Sequence, residues 1–431
     1  MPTLAAAKAE ARKASAAGDH GRALFIHGRI AERFPYDHNA RIRVGDTLSA
    51  LDLRDLAATV YRAAAQFAAK SGHPLPALVA CRALEEITRE TDLYGTVASL
   101  YSVESPALGK KAARLSVDLG GGLSDKDLAP PGESIDAIAH NAASSAGRLD
   151  GVKFPDSLPR ISLLSALPAE GFVRVVRDAK LVRLRDGAFV FREGEAGHSL
   201  FLVADGQLRV VKGQNQELGR MSEGGVFGEL ALLTDAPRTA SVQTVEEADL
   251  FELQREALDA MAASVPGVGD ALTRFKRERL LQNVMHTSPL FAPFTPEQRH
   301  ELLARFKGLE VDPETVIIRQ GERGRGLYVV AVGEFEVVRE QDGLDVALAT
   351  VGSGGLLGEI ALLRDRPATA TVTAKKKSTL LFLEGELFRR LVAAVDELRA
   401  YFDKLAQSRL KDVEILEREE FVQGLDITFE E

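Results

Sequence analysis

The strongest constraint on this chain is that part of it is written twice. The stretch FGELALLTDAPRTASV, Phe227 to Val242, returns as LGEIALLRDRPATATV, Leu357 to Val372, with ten of sixteen positions identical. Upstream, REGEAGHSLFLVADGQLRV (192–210) matches RQGERGRGLYVVAVGEFEV (319–337). Gly194, Gly197 and Gly206 map onto Gly321, Gly324 and Gly333 at a constant offset of 127. From Gly228 to Gly358 the offset is 130, so the second copy holds three extra residues, most simply in the hairpin EQDGLDVA. Any fold proposed for one copy must also suit the other. Both show short alternating strands closed by turn residues, which predicts a small antiparallel barrel or jelly roll. Helical segments flank each: 157–176 and 286–306 before, and REALDAMAASV, GDALTRFKRERLLQNV and GELFRRLVAAVDELRAYFDKLAQSRL after.

The rest of the 431 residues divides by composition. Residues 1–102 are rich in Ala and Leu, punctuated by Gly18, Pro35 and Gly72, and read as helix pairs. Ala23 and Ala57 fall 34 residues apart in similar contexts. That period resembles tetratricopeptide repeats, whose stacked helix pairs leave a groove for partners. Residues 103–155 concentrate Ser, Gly, Pro and Asp, lose apolar periodicity, and are expected to be a flexible linker. Residues 413–431 are expected to be an acidic tail. The fold expected is therefore α+β and multidomain: a helical repeat-like region (1–102), a linker (103–155), one barrel domain with its helices (156–285), a second (286–412), and the tail.

Composition narrows the function. The net charge of −9 argues against a broad nucleic-acid footprint. The single cysteine, Cys81, excludes an intramolecular disulfide and fits a reducing, cytoplasmic setting. The N-terminus is broken by charges, unlike a signal peptide, and no apolar run reaches membrane-spanning length. The histidines do not cluster: His20 and His27 have no third ligand nearby, so no metal is expected. Gly120-Gly121-Gly122 lacks the lysine of a phosphate-binding loop, and neither a GxSxG nor an HExxH pattern occurs, so no catalytic site is expected.

The duplicated segment reads as chemistry for holding an anion. Phe227-Gly228-Glu229-Leu230-Ala231 can form a short turn of helix, and Gly228 lets a ligand approach the backbone closely. Arg238, at the end of a proline-containing turn, can grip a phosphate with two parallel charge-assisted bonds. Glu229 beside an anion makes sense if it accepts from hydroxyls, as a ribose would provide.

With these residues in place, the segment resembles the phosphate-binding cassette of cyclic nucleotide-binding domains, found in protein kinase A regulatory subunits, gated channels and catabolite activator proteins. The resemblance covers about 156–412, twice. It implies that Glu229 holds the ribose 2′-hydroxyl and Arg238 the cyclic phosphate of cAMP or cGMP. It also implies that Gly228, Leu230 and Ala240 surround the phosphate with backbone, and that Thr239 lies near the base.

The second cassette keeps Gly358, Glu359, Ile360, Ala361, Thr369 and Ala370, but Ala368 stands where Arg238 does in the first. Truncating one member of a buried charge pair costs about 2–5 kcal/mol. Three readings follow: a structural domain without ligand, a site in which Arg366 or Arg364 reaches in instead, or a ligand without phosphate. The functional expectation is a non-enzymatic cyclic-nucleotide sensor. Ligand in the first barrel would order the helix 269–285, and the helical N-terminus would pass the change to a protein partner. The rival is a scaffold that keeps the fold and works by protein contacts. The segment KKAARLSVD (Lys110 to Asp118), with Arg114 two before Ser116, also resembles a kinase pseudosubstrate and implies a third reading, a kinase regulatory subunit.

Overall fold

A computed structural model describes residues 3–89, 92–109, 112–116, 123–124, 128, 132–148, 152–213, 216–229, 237–341 and 343–423, with side chains as far as Arg409. The chain divides into two compact units, Met1–Phe275 and Lys276–Glu431.

The first unit begins with α1 (Leu4–Ala16), α2 (His20–Arg33), α3 (His38–Ala50), α4 (Arg54–Lys70), α5 (Pro74–Thr88) and α6 (Asp92–Tyr101). Thr3, Asp19 and Asp37 cap the first three, each side chain accepting from a backbone N–H three residues on. The starts of α1 and α3, and of α2 and α4, lie 34 residues apart, the period read from the alanines. Ala23 and Ala57 are both fully buried where these helices stack.

The stretch expected to be linker differs. Part of it forms α7 (Ile135–Gly147), capped by Ser134, with Ile138, Ala139, Ala142 and Ala146 buried among the other helices. Its face is made of alanines, so no large apolar period marks it. It sits close instead: a Cβ at Gly28 would lie 2.8 Å from that of Ala142.

Helix α8 (Ala169–Asp178) leads into eight strands: β1 (Lys180–Leu184), β2 (Phe189–Phe191), β3 (Ser199–Asp205), β4 (Leu208–Lys212), β5 (Gln216–Met221), β6 (Val226–Phe227), β7 (Ser241–Thr244) and β8 (Ala248–Gln254). They form two antiparallel four-stranded sheets, ordered β1-β8-β3-β6 and β2-β7-β4-β5, the order of a jelly roll. Along β3 the side chains alternate in destination. Phe201 and Val203 enter the barrel core, while Leu200, Leu202 and Ala204 join the helical core outside. Both faces are buried, which is why SLFLVAD reads as an apolar run. Helices α9 (Arg255–Ser264) and α10 (Val268–Thr287) follow.

An ion-pair network fastens the helices to this barrel. Arg43 of α3 lies 2.8 Å from Asp46 and 3.1 Å from Asp249 of β8. Arg183 of β1 lies 2.7 Å from Asp46, and the Tyr61 hydroxyl donates to Asp46 at 2.6 Å.

The second unit repeats the barrel. Helix α11 (Pro296–Leu303), opened by a Thr295/Gln298 capping box, precedes β9 (Lys307–Val311), β10 (Val316–Ile318), β11 (Gly326–Val332), β12 (Glu334–Gln341), β13 (Leu344–Gly352), β14 (Leu356–Leu357), β15 (Thr371–Ala374) and β16 (Ser378–Glu384). A short α12 (Glu359–Arg364) lies between β14 and β15. The sheets are β14-β11-β16-β9 and β10-β15-β12-β13, the same order again. The β12–β13 hairpin is longer than β4–β5, and this is where the second copy gains its extra residues. Helices α13 (Gly385–Ala394) and α14 (Asp396–Gln423) close the unit. The α+β class with two jelly-roll barrels is the one expected.

His27 makes the first unit sensitive to acid. It is buried within α2, and among the described residues its Nδ1 has no hydrogen-bond partner. Burial above all, with Arg43 nearby, pushes its pKa down to about 3. The folded value lies below the unfolded one of about 6.5, so the stability held by neutral His27 is present above that pH and is lost as pH falls toward 3. His38, driven down mainly by burial, acts with the same sign. His27→Leu should therefore flatten the decline of melting temperature between pH 7 and pH 4. Equal slopes for the two proteins would show that His27 is not the titrating group.

Candidate functional site

The first cassette is anchored by its arginine. Arg238 is 8% exposed, and its guanidinium is turned into the end of the barrel. Nη1 donates to the carbonyls of Ser199 and Gly228, each at 3.0 Å, and Nη2 to the Ser199 hydroxyl at 3.3 Å. The Phe191 ring lies beneath it, 4.1 Å from Cζ, with Phe201 at 5.9 Å. Nε–H is buried and has no partner among the described residues.

Glycine makes this cage possible. Gly228 has φ of +76° and its carbonyl meets the arginine, while a Cβ on Gly197 would overlap the guanidinium. The loop is held by main chain as well. Arg238 N–H donates to the Glu195 carbonyl at 2.8 Å, and Gly194 N–H to the Arg238 carbonyl at 2.9 Å. Burial lowers the Arg238 pKa, against the pull of Glu252, Glu195 and Glu229. A desolvated cation with a spare N–H is an environment that an anion would improve.

Of the other residues expected at this site, Phe227 is buried and stacks on Phe201 at 5.2 Å, and Thr239 is exposed. Glu229 and Ala240 are partly buried. Leu230 and Ala231 lie outside the described residues. Phe191, Gly197, Ser199 and Phe201 escaped the sequence reading as partners of Arg238. Their signal was available in the repeat, because Gly197, Ser199 and Phe201 lie in the upstream block that recurs at an offset of 127 and Phe191 immediately precedes it.

In the second cassette Gly358 again takes positive φ, at +86°, and caps α12. Ala368 occupies the backbone position of Arg238: its N–H donates to the Glu322 carbonyl and its carbonyl accepts from Gly321 N–H, both at 2.8 Å. Glu359 is 1% exposed and pairs with Arg409 of α14, which also donates to the Leu356 carbonyl at 3.0 Å. Burial raises the Glu359 pKa, and Arg409 opposes the shift. Ile360 is partly buried, and Ala361 and Ala370 are buried. Thr369, Arg364 and Arg366 are exposed, and neither arginine lines the cavity of about 230 Å³ beside Gly358. Among the described residues no group of three or more His, Cys, Asp or Glu could hold a metal, and no helix is long and apolar enough to cross a membrane.

The family model described as "cyclic nucleotide-binding domain" matches residues 181–264 and 309–394, one stretch in each barrel. The chain carries two cyclic nucleotide-binding domains. Over 253 residues it is 30% identical to the cGMP-dependent protein kinase egl-4 of Caenorhabditis briggsae, covering 58% of this chain and 33% of that kinase. Over 281 residues it is 27% identical to the cAMP-dependent protein kinase regulatory subunit of Blastocladiella emersonii, covering 64% of this chain and 67% of that one. The chain thus spans only a third of the kinase it resembles. Among solved structures, the regulatory domain of Toxoplasma gondii PKA with cAMP aligns over 57% of this chain and 92% of its own, with 26% identity and a TM-score of 0.29.

Proposed function

We propose that this chain is a cytoplasmic, non-enzymatic sensor whose first cyclic nucleotide-binding domain takes cAMP or cGMP and relays its presence to a protein partner through the N-terminal helices. The observation that carries the reading is the buried Arg238, caged by Phe191, Phe201 and two carbonyls, with an Nε–H beside Gly197 that has no partner among the described residues. Arg238 would hold the phosphate, Glu229 the ribose, and the backbone of Gly228, Leu230 and Ala240 would line the site. The helical repeat-like region packs on the barrel's outer sheet through Leu200, Leu202 and Phe251, so a shift in β3 or β8 reaches it by direct contact. Ligand can bias that contact only by its differential affinity for the two arrangements.

A second reading, a kinase regulatory subunit, is favoured by the pose of Arg114 and Leu115. Leu115 N–H donates to the Ser71 carbonyl at 2.9 Å, its carbonyl lies 2.8 Å from His73 Nε2, and Arg114 lies 3.7 Å from Glu223 of the first barrel. A basic-x-Ser segment held against the barrel by that ion pair could be released when the barrel changes. Lys110, Lys111, Val117 and Asp118 of this segment lie outside the described residues.

Calorimetric titration of the full chain with cAMP and cGMP tests the sensor reading. The expected result is saturable binding of at least one of them. If neither binds, the scaffold reading takes its place.

A further inference from the structure

The cavity in the second barrel occupies a telling place. In the first barrel the Arg238 guanidinium is surrounded by Phe191, Gly197, Ser199, Phe201 and Gly228. Their counterparts at the repeat offsets are Ile318, Gly324, Gly326, Tyr328 and Gly358, and all five line the cavity of about 230 Å³. With Ala368 at the position of Arg238, the space that the guanidinium fills in one barrel is open in the other.

The charge has not simply disappeared. The same cavity is lined by Arg319, Arg323 and Arg325, from the loop between β10 and β11. Arg319 matches Arg192 of the first barrel, but Arg323 and Arg325 stand where that barrel has Ala196 and His198. One arginine is lost from the cassette, and two are gained on the loop facing the same hollow. All three are exposed, and among the described residues none makes a side-chain hydrogen bond or ion pair. Glu322 lines the same hollow, so three guanidinium groups face one carboxylate there. The remaining excess of positive charge is relieved by a phosphate through charge-assisted bonds.

We propose that the second barrel binds a nucleoside phosphate through Arg323 and Arg325, the loop supplying the cation that the cassette lacks. This deepens the cyclic-nucleotide reading of the domain and rests on it for the nucleoside part of the ligand. The shared chemistry is a phosphate on a nucleoside, either a cyclic diester or a 5′-monoester. The monoester carries more charge near neutral pH, because its second pKa is about 6.

The test uses the full chain carrying Arg238→Ala, so that the first barrel lacks its clamp. Cyclic AMP, 5′-AMP and adenosine are titrated separately by calorimetry at two salt concentrations. At least one of the two phosphates is expected to bind at a single remaining site, at least tenfold more tightly than adenosine and more weakly at higher salt. Adding Arg323→Ala and Arg325→Ala should weaken it at least tenfold with melting temperature unchanged, because both side chains are exposed. Arg390→Ala, an exposed arginine on α13, should change nothing and controls for net charge. The two nucleotide arms decide between diester and monoester. No residual site, a site that prefers adenosine, or a site indifferent to the loop substitutions would overturn the proposal. If the unsubstituted chain binds once and Arg238→Ala binds nothing, this inference fails while the sensor reading stands. If the one site survives Arg238→Ala and is lost with the loop arginines, the reverse holds.

Discussion

Replacing Arg238 by Ala should weaken cyclic-nucleotide binding in the first barrel by roughly 30- to several-thousand-fold, the equivalent of about 2–5 kcal/mol. The size follows from where the guanidinium sits: buried, stacked on Phe191, and held by the Ser199 and Gly228 carbonyls. A ligand phosphate there meets an oriented, largely desolvated cation, where a charge-assisted bond is strong. The same contacts raise a competing explanation, that the substitution merely loosens the barrel. Nucleoside binding separates the two. If Arg238 grips phosphate, Arg238→Ala lowers affinity for the cyclic nucleotide while affinity for the parent nucleoside stays within about threefold. Parallel losses for both would assign Arg238 a structural role instead. Arg238→Lys keeps a charge but not the planar fork, and should recover only part of the affinity. Because the chain has no tryptophan, calorimetry is a better probe than intrinsic fluorescence.

The second large effect concerns the joint between helices and barrel in the first unit. Asp249 is 1% exposed and Arg43 is buried beside it. Removing one member of such a pair strands the other, at a cost of about 3–5 kcal/mol. Arg43→Met should therefore lower the melting transition of residues 1–275 by roughly 10 °C, given about 2–4 °C per kcal/mol for a unit of that size. A shift corresponding to less than about 1 kcal/mol would place the network among pairs of little consequence. The network also has a definite pH signature. Burial alone would raise the Asp46 pKa, but Arg183 and Arg43 hold it below its ordinary value. Its contribution is thus present above the unfolded carboxylate range and is lost as pH falls through the depressed folded value. Arg43→Met should shrink that loss, measured as the melting-temperature difference between pH 5 and pH 3.

What could be read in the sequence follows the range of the forces involved. The barrels were legible because two copies corroborate one another: Gly194 and Gly321, or Gly228 and Gly358, mark turns that a single copy would leave ambiguous. The alternation within each strand supplied the rest. The helices of residues 1–102 were legible from the punctuation by Gly18, Pro35 and Gly72 and from the alanine spacing. Helix α7 was missed because its buried face is Ala139, Ala142 and Ala146, and small residues pack by close approach rather than by bulk. The network was invisible because Arg43 and Asp249 lie 206 residues apart. At the site, the importance of Arg238 and the absence of its counterpart at Ala368 were evident. What surrounds Arg238 was not, because Phe191, Phe201 and Ser199 look like ordinary strand residues. Glu359 read as a retained residue of the second cassette, and nothing local announces Arg409, fifty residues downstream. The loop arginines are not legible from the cassette, because Arg364 and Arg366 stand nearest the gap in sequence whereas Arg319, Arg323 and Arg325 line it in space.

The backbone clasp at the cassette has a consequence for how such proteins diversify. Arg238 and Ala368 are held by the same pair of main-chain hydrogen bonds, to Glu195 and Gly194 in one barrel and to Glu322 and Gly321 in the other. Those bonds do not depend on which side chain is present. The position can therefore change identity over generations while the loop keeps its shape, and descendants of one duplicated ancestor can acquire different chemical tastes inside the same walls.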